Sequence, residues 1–165
     1  MIHDLKHLEA SKLIQLQEAL PLIAILVGKA DGELDVKELD LAKKIAHIRT
    51  YSSPEYLKEF YEEVEAQFDA LIDKFNTELP EDADSRGQII SDRLSQLNSI
   101  LGEINPKIGS KLYKGFLRFA KEIAGASGGF LGFMAVNAAE SKWVGLPMIT
   151  PVIQTELELE EEEEE

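Results

Sequence analysis

"ILVGKADGELDVKELDLA", residues 25–42, decides the fold class. An apolar helix runs into a small residue, a polar residue and glycine, and a new helix opens directly behind them. Leu22, Ile23, Ile25, Leu26 and Val27 cover almost every side of the first helix, which places it at the centre of a bundle. Behind the break, Asp35-Val-Lys-Glu38 reads as a capping box. The aspartate accepts from exposed backbone N–H groups, and the glutamate three positions on reaches back. Leu39, Ala42, Ile45 and Ala46 then mark the next helix. The same plan recurs in "KEIAGASGGFLGFMAVNAAESKWV", residues 121–144, with Asn137-Ala-Ala-Glu140 as the box, Ser127 in the place of Asp31 and a short insertion. The expected fold is all-α: a helical bundle of two pseudo-symmetric helix-turn-helix halves.

The rest of the chain keeps helical periodicity. Leu8, Ile14 and Leu20 suggest a first helix, and Pro21 starts or kinks the apolar segment that follows. "TYSSPE" (50–55) supplies cap residues and Pro54, a start signal. Tyr56, Phe60, Val64, Phe68, Leu71, Ile72 and Phe75 continue as one long amphipathic helix with an acidic opposite face. "NTELPEDADSRG" (76–87) reads as a polar surface loop. Ile89, Ile90, Leu94, Leu97, Ile100 and Leu101 form one helix ended near Gly102, and Asn105-Pro106 restarts the chain. Leu112, Phe116, Phe119, Ala120 and Ile123 then make a buried stripe. A last helix opens near Ala138, and Pro147 and Pro151 stop it. No stretch alternates with period two for long enough to make a strand.

Charge divides the 165 residues in two. The formal net charge is −14, but "ELELEEEEEE" (156–165) holds eight glutamates and no base. Without them 23 acids face 17 bases, so the body carries about −6. The domain is expected over 1–153 and a disordered acidic tail over 154–165, since a block of like charge cannot pack. A mildly acidic body without a basic patch makes nucleic acid a poor partner. The absence of cysteine excludes disulfides, thiolate metal sites and thiol catalysis, and fits a reducing cytoplasm. "MIHDLKHLEASK" lacks the apolar core of a signal peptide. The longest uncharged run, Ile123 to Ala139, contains four glycines, Ser127 and Asn137, and makes a poor spanning helix. A surface-attached role for the "GGFLGF" loop is the membrane alternative.

Catalytic chemistry is not legible. Gly125-Ala126-Ser127-Gly128-Gly129 satisfies G-x-S-x-G, but that elbow needs a strand before the serine and a histidine after it. A helix precedes it here, and His3, His7 and His47 all lie upstream. No G-K-[ST] follows, so it is not a phosphate loop either. Phe130, Leu131, Phe133 and Met134 are expected to tuck back into the core. His3 and His7, at i and i+4, could share a metal but have no third ligand, and read as solvated. His47 stands alone, and Trp143 reads as core or groove lining.

"ADGELDVKE" (30–38) is half a calcium loop. With Asp31-Gly32 at loop positions five and six, Leu34 takes the apolar position and Glu38 the bidentate twelfth. Positions one and three would be Val27 and Lys29, where a full loop needs oxygen ligands. A capped turn explains Gly32, Asp35 and Glu38 without any cation. Asp31 and Glu33 are surplus to that account, though a helix start favours acids. Both readings stand.

Taken together, "KADGELDVKELDLAKKIA" and "AKEIAGASGGFLGF…NAAE" resemble the TerB-like family, associated with tellurite resistance and stress operons. The resemblance covers roughly residues 15–150. It implies a non-enzymatic, all-helical, pseudo-symmetric domain whose two turns gather acids into a divalent-cation site. Carried over by position, the ligands are Asp31, Glu38 and Glu140, with Asp35 as a further candidate. Ser127 opposite Asp31 departs from the pattern, so one shared site is implied and not two. The reading is a cytoplasmic stress-response module, binding calcium or magnesium and acting on a protein partner. The alternatives are metal-independent protein–protein interaction and membrane-surface association.

Overall fold

The computed structural model describes residues 3–30, 36–126 and 142–152. Every regular element among them is a helix: α1 (His3–Lys6), α2 (Ala10–Gly28), α3 (Val36–Ser52), α4 (Glu55–Glu78), α5 (Ala83–Ser95), α6 (Leu97–Glu103) and α7 (Pro106–Ala126). The all-α class is as expected.

α2 is the central helix. From Leu16 to Gly28 every residue but Glu18 is buried, and α3, α4, α5, α6 and α7 all pack against it. Pro21 neither starts nor ends this helix but lies inside it. A proline in an exposed helix interior costs about 3 kcal/mol. Burial of the apolar residues on both sides offsets that cost, so tertiary packing overrides the local signal. α2 also meets the length and composition of a membrane-crossing helix, yet most of its apolar window is buried in the core.

α4 realises the predicted amphipathic helix. Leu57, Phe60, Val64, Phe68, Ile72 and Phe75 are buried on one face, while Glu62, Asp69 and Asp73 are exposed. α3 runs antiparallel to it, as the cross-links require: Lys43 Nζ meets Asp69 Oδ1 at 2.9 Å, and His47 and Thr50 both reach Glu65. In α7 the stripe Leu112, Phe116, Phe119, Ala120 and Ile123 is fully buried. Buried side chains from all seven helices, with Leu146 and Ile149, form one core.

Two boundaries differ from expectation. The polar break over 76–87 shrinks to 79–82, because Asp82 caps α5 by accepting from Ser85 N–H at 2.8 Å. That bond holds the Asp82 carboxyl below its ordinary value of 3.8, so the cap acts above that value and fades as pH falls below it. The single helix expected through Leu101 is broken at Gln96 into α5 and α6.

The segment after 141 is fastened to α5 and α6 by two devices. Asn98 donates from Nδ2 to Met148 O (3.0 Å) and accepts from Thr150 N–H at Oδ1 (2.8 Å). Leu146 is fully buried at φ 46°, a left-handed conformation that costs about 1–2 kcal/mol outside glycine. Trp143 lies on buried Gly87, where an added Cβ would stand 3.0 Å from the indole. Gly87→Val should therefore displace the indole and cost about 1–3 kcal/mol, the range for overpacking. Trp143 is the one tryptophan in the chain, so its fluorescence reports the displacement directly. Unchanged emission and stability would mean that Gly87 does not seat Trp143.

The opening of the later half's second helix, expected near Ala138, and Phe130, Leu131, Phe133 and Met134 lie outside the described residues, but residues 142–146 form turns, so no helix runs on to Pro147 as expected. A twofold relation between halves is accordingly not established among those described.

Candidate functional site

Of the four expected ligands, Asp31, Asp35 and Glu140 lie outside the described residues. Glu38 is in the first turn of α3 by its backbone, and its side chain lies outside them. What the structure describes is the frame on either side of the acidic turn.

The α2 end of that frame is built by Arg86. Its side chain is buried, and its guanidinium donates to three carbonyls: Lys29 O at 2.6 Å, Glu81 O at 2.7 Å and, more loosely, Pro80 O at 3.5 Å. The last carbonyls of a helix have no partner inside it. Arg86 thus caps α2 from a distance and ties its end to the α4–α5 connection, two residues before Asp31. Lys29 donates to Asn76 Oδ1 at 3.2 Å, and burial, followed by the Arg86 charge, holds its ammonium below its ordinary value. Nothing in the sequence alone marked Arg86, because an arginine in a polar stretch reads as solvent-facing.

The other side of the frame is the pairing of α3 with α7. Leu41, Ile45, Ile48 and Ser52 on α3 face Arg118, Glu122 and Gly125 on α7 across an open groove of about 600 Å³. Ser52 and Ser53 also share a second recess with Lys111, Lys114, Gly115 and Arg118. The late end of α3 therefore lies beside the middle of α7. At 1.5 Å per residue, Leu41 is about 16 Å back along α3 from Ser52, level with the end of α7. The two helices are antiparallel. The start of α3, which follows residues 31–35, and the end of α7, which precedes residues 127–141, share one end of the bundle.

His47 is not alone, as the sequence suggested, but bonded to Glu65, which also accepts from buried Thr50 Oγ1 at 2.9 Å. The carboxylate lies between its two partners, so this is a cross-link between α3 and α4 and not a nucleophile with its base. His7 is exposed, and the His3 side chain lies outside the described residues. Among the described residues, no three histidine, aspartate or glutamate side chains converge to hold a metal.

Comparison with known proteins gives no assignment: no family model, curated protein or solved structure matches the chain.

Proposed function

We propose that this chain is a non-enzymatic helical module, similar to the TerB-like family, that binds a divalent cation at its acidic turn. Asp31, Glu38 and Glu140 are the ligands, with Asp35 beside them, and calcium or magnesium is the ion. Hard carboxylate oxygens suit either. The observation that supports this reading is the antiparallel pairing of α3 with α7, because it sets the start of α3, which follows residues 31–35, and the end of α7, which precedes residues 127–141, at one end of the bundle. The setting is a cytoplasmic stress response of the tellurite-resistance type.

The test is cation-linked stability. At about ten times its dissociation constant, the ion should stabilise the fold by about 1.4 kcal/mol. For a domain of this size that is a rise of roughly 3–6 °C in Tm. Asp31→Asn should abolish the rise at little cost to the ion-free protein, since it relieves carboxylate crowding. Glu38→Ala should abolish it and also weaken α3 by about 1 kcal/mol, because half of the capping box goes with it. Equal midpoints in calcium, magnesium and chelator would refute the cation reading.

A second reading rests on the α3/α7 groove. Ile48 is 59% exposed there, beside Leu41 and Ile45, with Arg118 and Glu122 at the rim. Such a surface suits one apolar helix of a protein partner, with charges to match the rim. Ile48→Asp would abolish partner binding and leave the cation response intact, which separates the two readings.

A further inference from the structure

Trp143, Leu146, Ile149 and Val152 stand three residues apart in a stretch that forms no helix. Two successive turns set that spacing: Leu146 N–H donates to Trp143 O at 2.9 Å, and Ile149 N–H to Leu146 O at 3.0 Å. A bond from i+3 back to i returns every third side chain to one side. Leu146 and Ile149 are accordingly buried, while Pro147, Thr150 and Pro151 in the intervals are exposed.

The anchors meet three helices in chain order. Trp143 lies on Gly87 of α5, where the missing Cβ makes room for the indole. Asn98, in the first turn of α6, bonds on both sides of Ile149. Its Nδ2 donates to Met148 O at 3.0 Å, and its Oδ1 accepts from Thr150 N–H at 2.8 Å. Val152 Cγ1 stands 3.5 Å from where a Cβ on Gly109 of α7 would be. Both Asn98 bonds go to main-chain atoms, so they fix register and leave selection to the anchor side chains. Peptide-binding grooves divide recognition in the same way.

The segment is held but separable. The helices pair without it, since α2 packs directly against α3, α4, α5, α6 and α7. Leu146 is held at φ 46°, and leaving the groove relieves that strain. Residues 127–141 join the segment to α7, and fifteen residues span at most about 50 Å. That length reaches an adjoining copy, where the same contacts are rebuilt, so exchange costs little.

We propose that the face of α5, α6 and α7 under residues 142–152 is a peptide-binding groove. Its occupant within one chain is that chain's own segment, and between chains it is the same segment of a second copy. The link gives the chain's own segment an effective concentration on the order of millimolar, so exchange follows when docking within the chain is weakened. The inference does not involve the acidic turn.

The test is complementation between two full-length variants. Trp143→Phe/Leu146→Asp/Ile149→Asp keeps the groove and spoils the segment. Gly87→Val/Asn98→Ala spoils the groove and keeps the segment, with the one tryptophan of the mixture. Each alone should sediment as a monomer. Mixed, they should form a 1:1 complex, and Trp143 emission should shift to the blue as the indole enters the intact groove. Adding Asn98→Ala to the first variant should weaken the complex about tenfold or more, because two main-chain hydrogen bonds are lost. Helical circular dichroism checks each fold, and Asn98→Ala alone replaces the second variant if Gly87→Val unfolds it. No complex between two helical variants would overturn the proposal. Loss of helix in the first variant would make residues 142–152 part of the core and not its ligand, and would overturn it too.

Discussion

Arg86→Ala should lower Tm by roughly 6–12 °C, the equivalent of about 3 kcal/mol in a domain of this size. Arg86 is 3% exposed and spends its donors on backbone carbonyls of two separate segments. Alanine would strip those carbonyls of their partner and leave a cavity. The change acts at both ends of the tie, on Lys29 at the close of α2 and on Glu81 before α5. Arg86→Lys should recover less than half of the loss, because one ammonium on a single stem cannot serve the planar fork of acceptors. A thermal melt of the three proteins decides this. Equal midpoints for Arg86→Ala and the wild type would mean that α2 holds its end without the tie.

Phe116→Ala should be at least as damaging, at about 3–5 kcal/mol. Phe116 is fully buried in the α7 stripe, and α7 packs directly against the central helix α2. A ring lost there leaves a void that rigid neighbours on two helices cannot close. In urea the midpoint should fall while the slope stays the same, the signature of lost stability without a change in the unfolded state. Ile48→Ala is the matched control. With Ile48 59% exposed, the same class of truncation should stay within about 0.5 kcal/mol. If the two variants lost equal stability, Phe116 would not be the buried core residue described.

The central helix, the α4 face and the α7 stripe were all legible in the sequence, because each depends on spacing within one helix. Burial of Phe60, Val64, Phe68 and Phe116 follows from periods that need no knowledge of the partner helix. The start of α4 directly after Pro54 was legible for the same reason, since a proline start signal is local, although no side chain caps this helix. Local signals also misled. Of the two readings of Pro21, a helix start and an interior kink, the start is excluded, since Pro21 lies inside α2, where burial offsets the lost backbone bond. The polar run over 76–87 reads as loop, but Asp82 accepts from Ser85 N–H and starts α5 within it.

The candidate sites divide along the same line. The acidic turn is a sequence feature, with Asp31, Asp35 and Glu38 close along the chain, so it could be found without a structure. The partnership of Glu65 with His47 and Thr50 and the tie from Arg86 to Lys29 join residues distant in sequence, and no periodicity predicts them. The recess between α7 and the α3–α4 turn is of this second kind. Only the packing of α7 against the α3–α4 turn gathers Lys111, Lys114 and Arg118 around Ser52 and Ser53. Sequence determined that the chain is helical and which faces of α4 and α7 are apolar, because both follow from interactions within a few residues. Tertiary structure decided which helix ends meet and which distant side chains bond, because those depend on how the apolar faces choose one another.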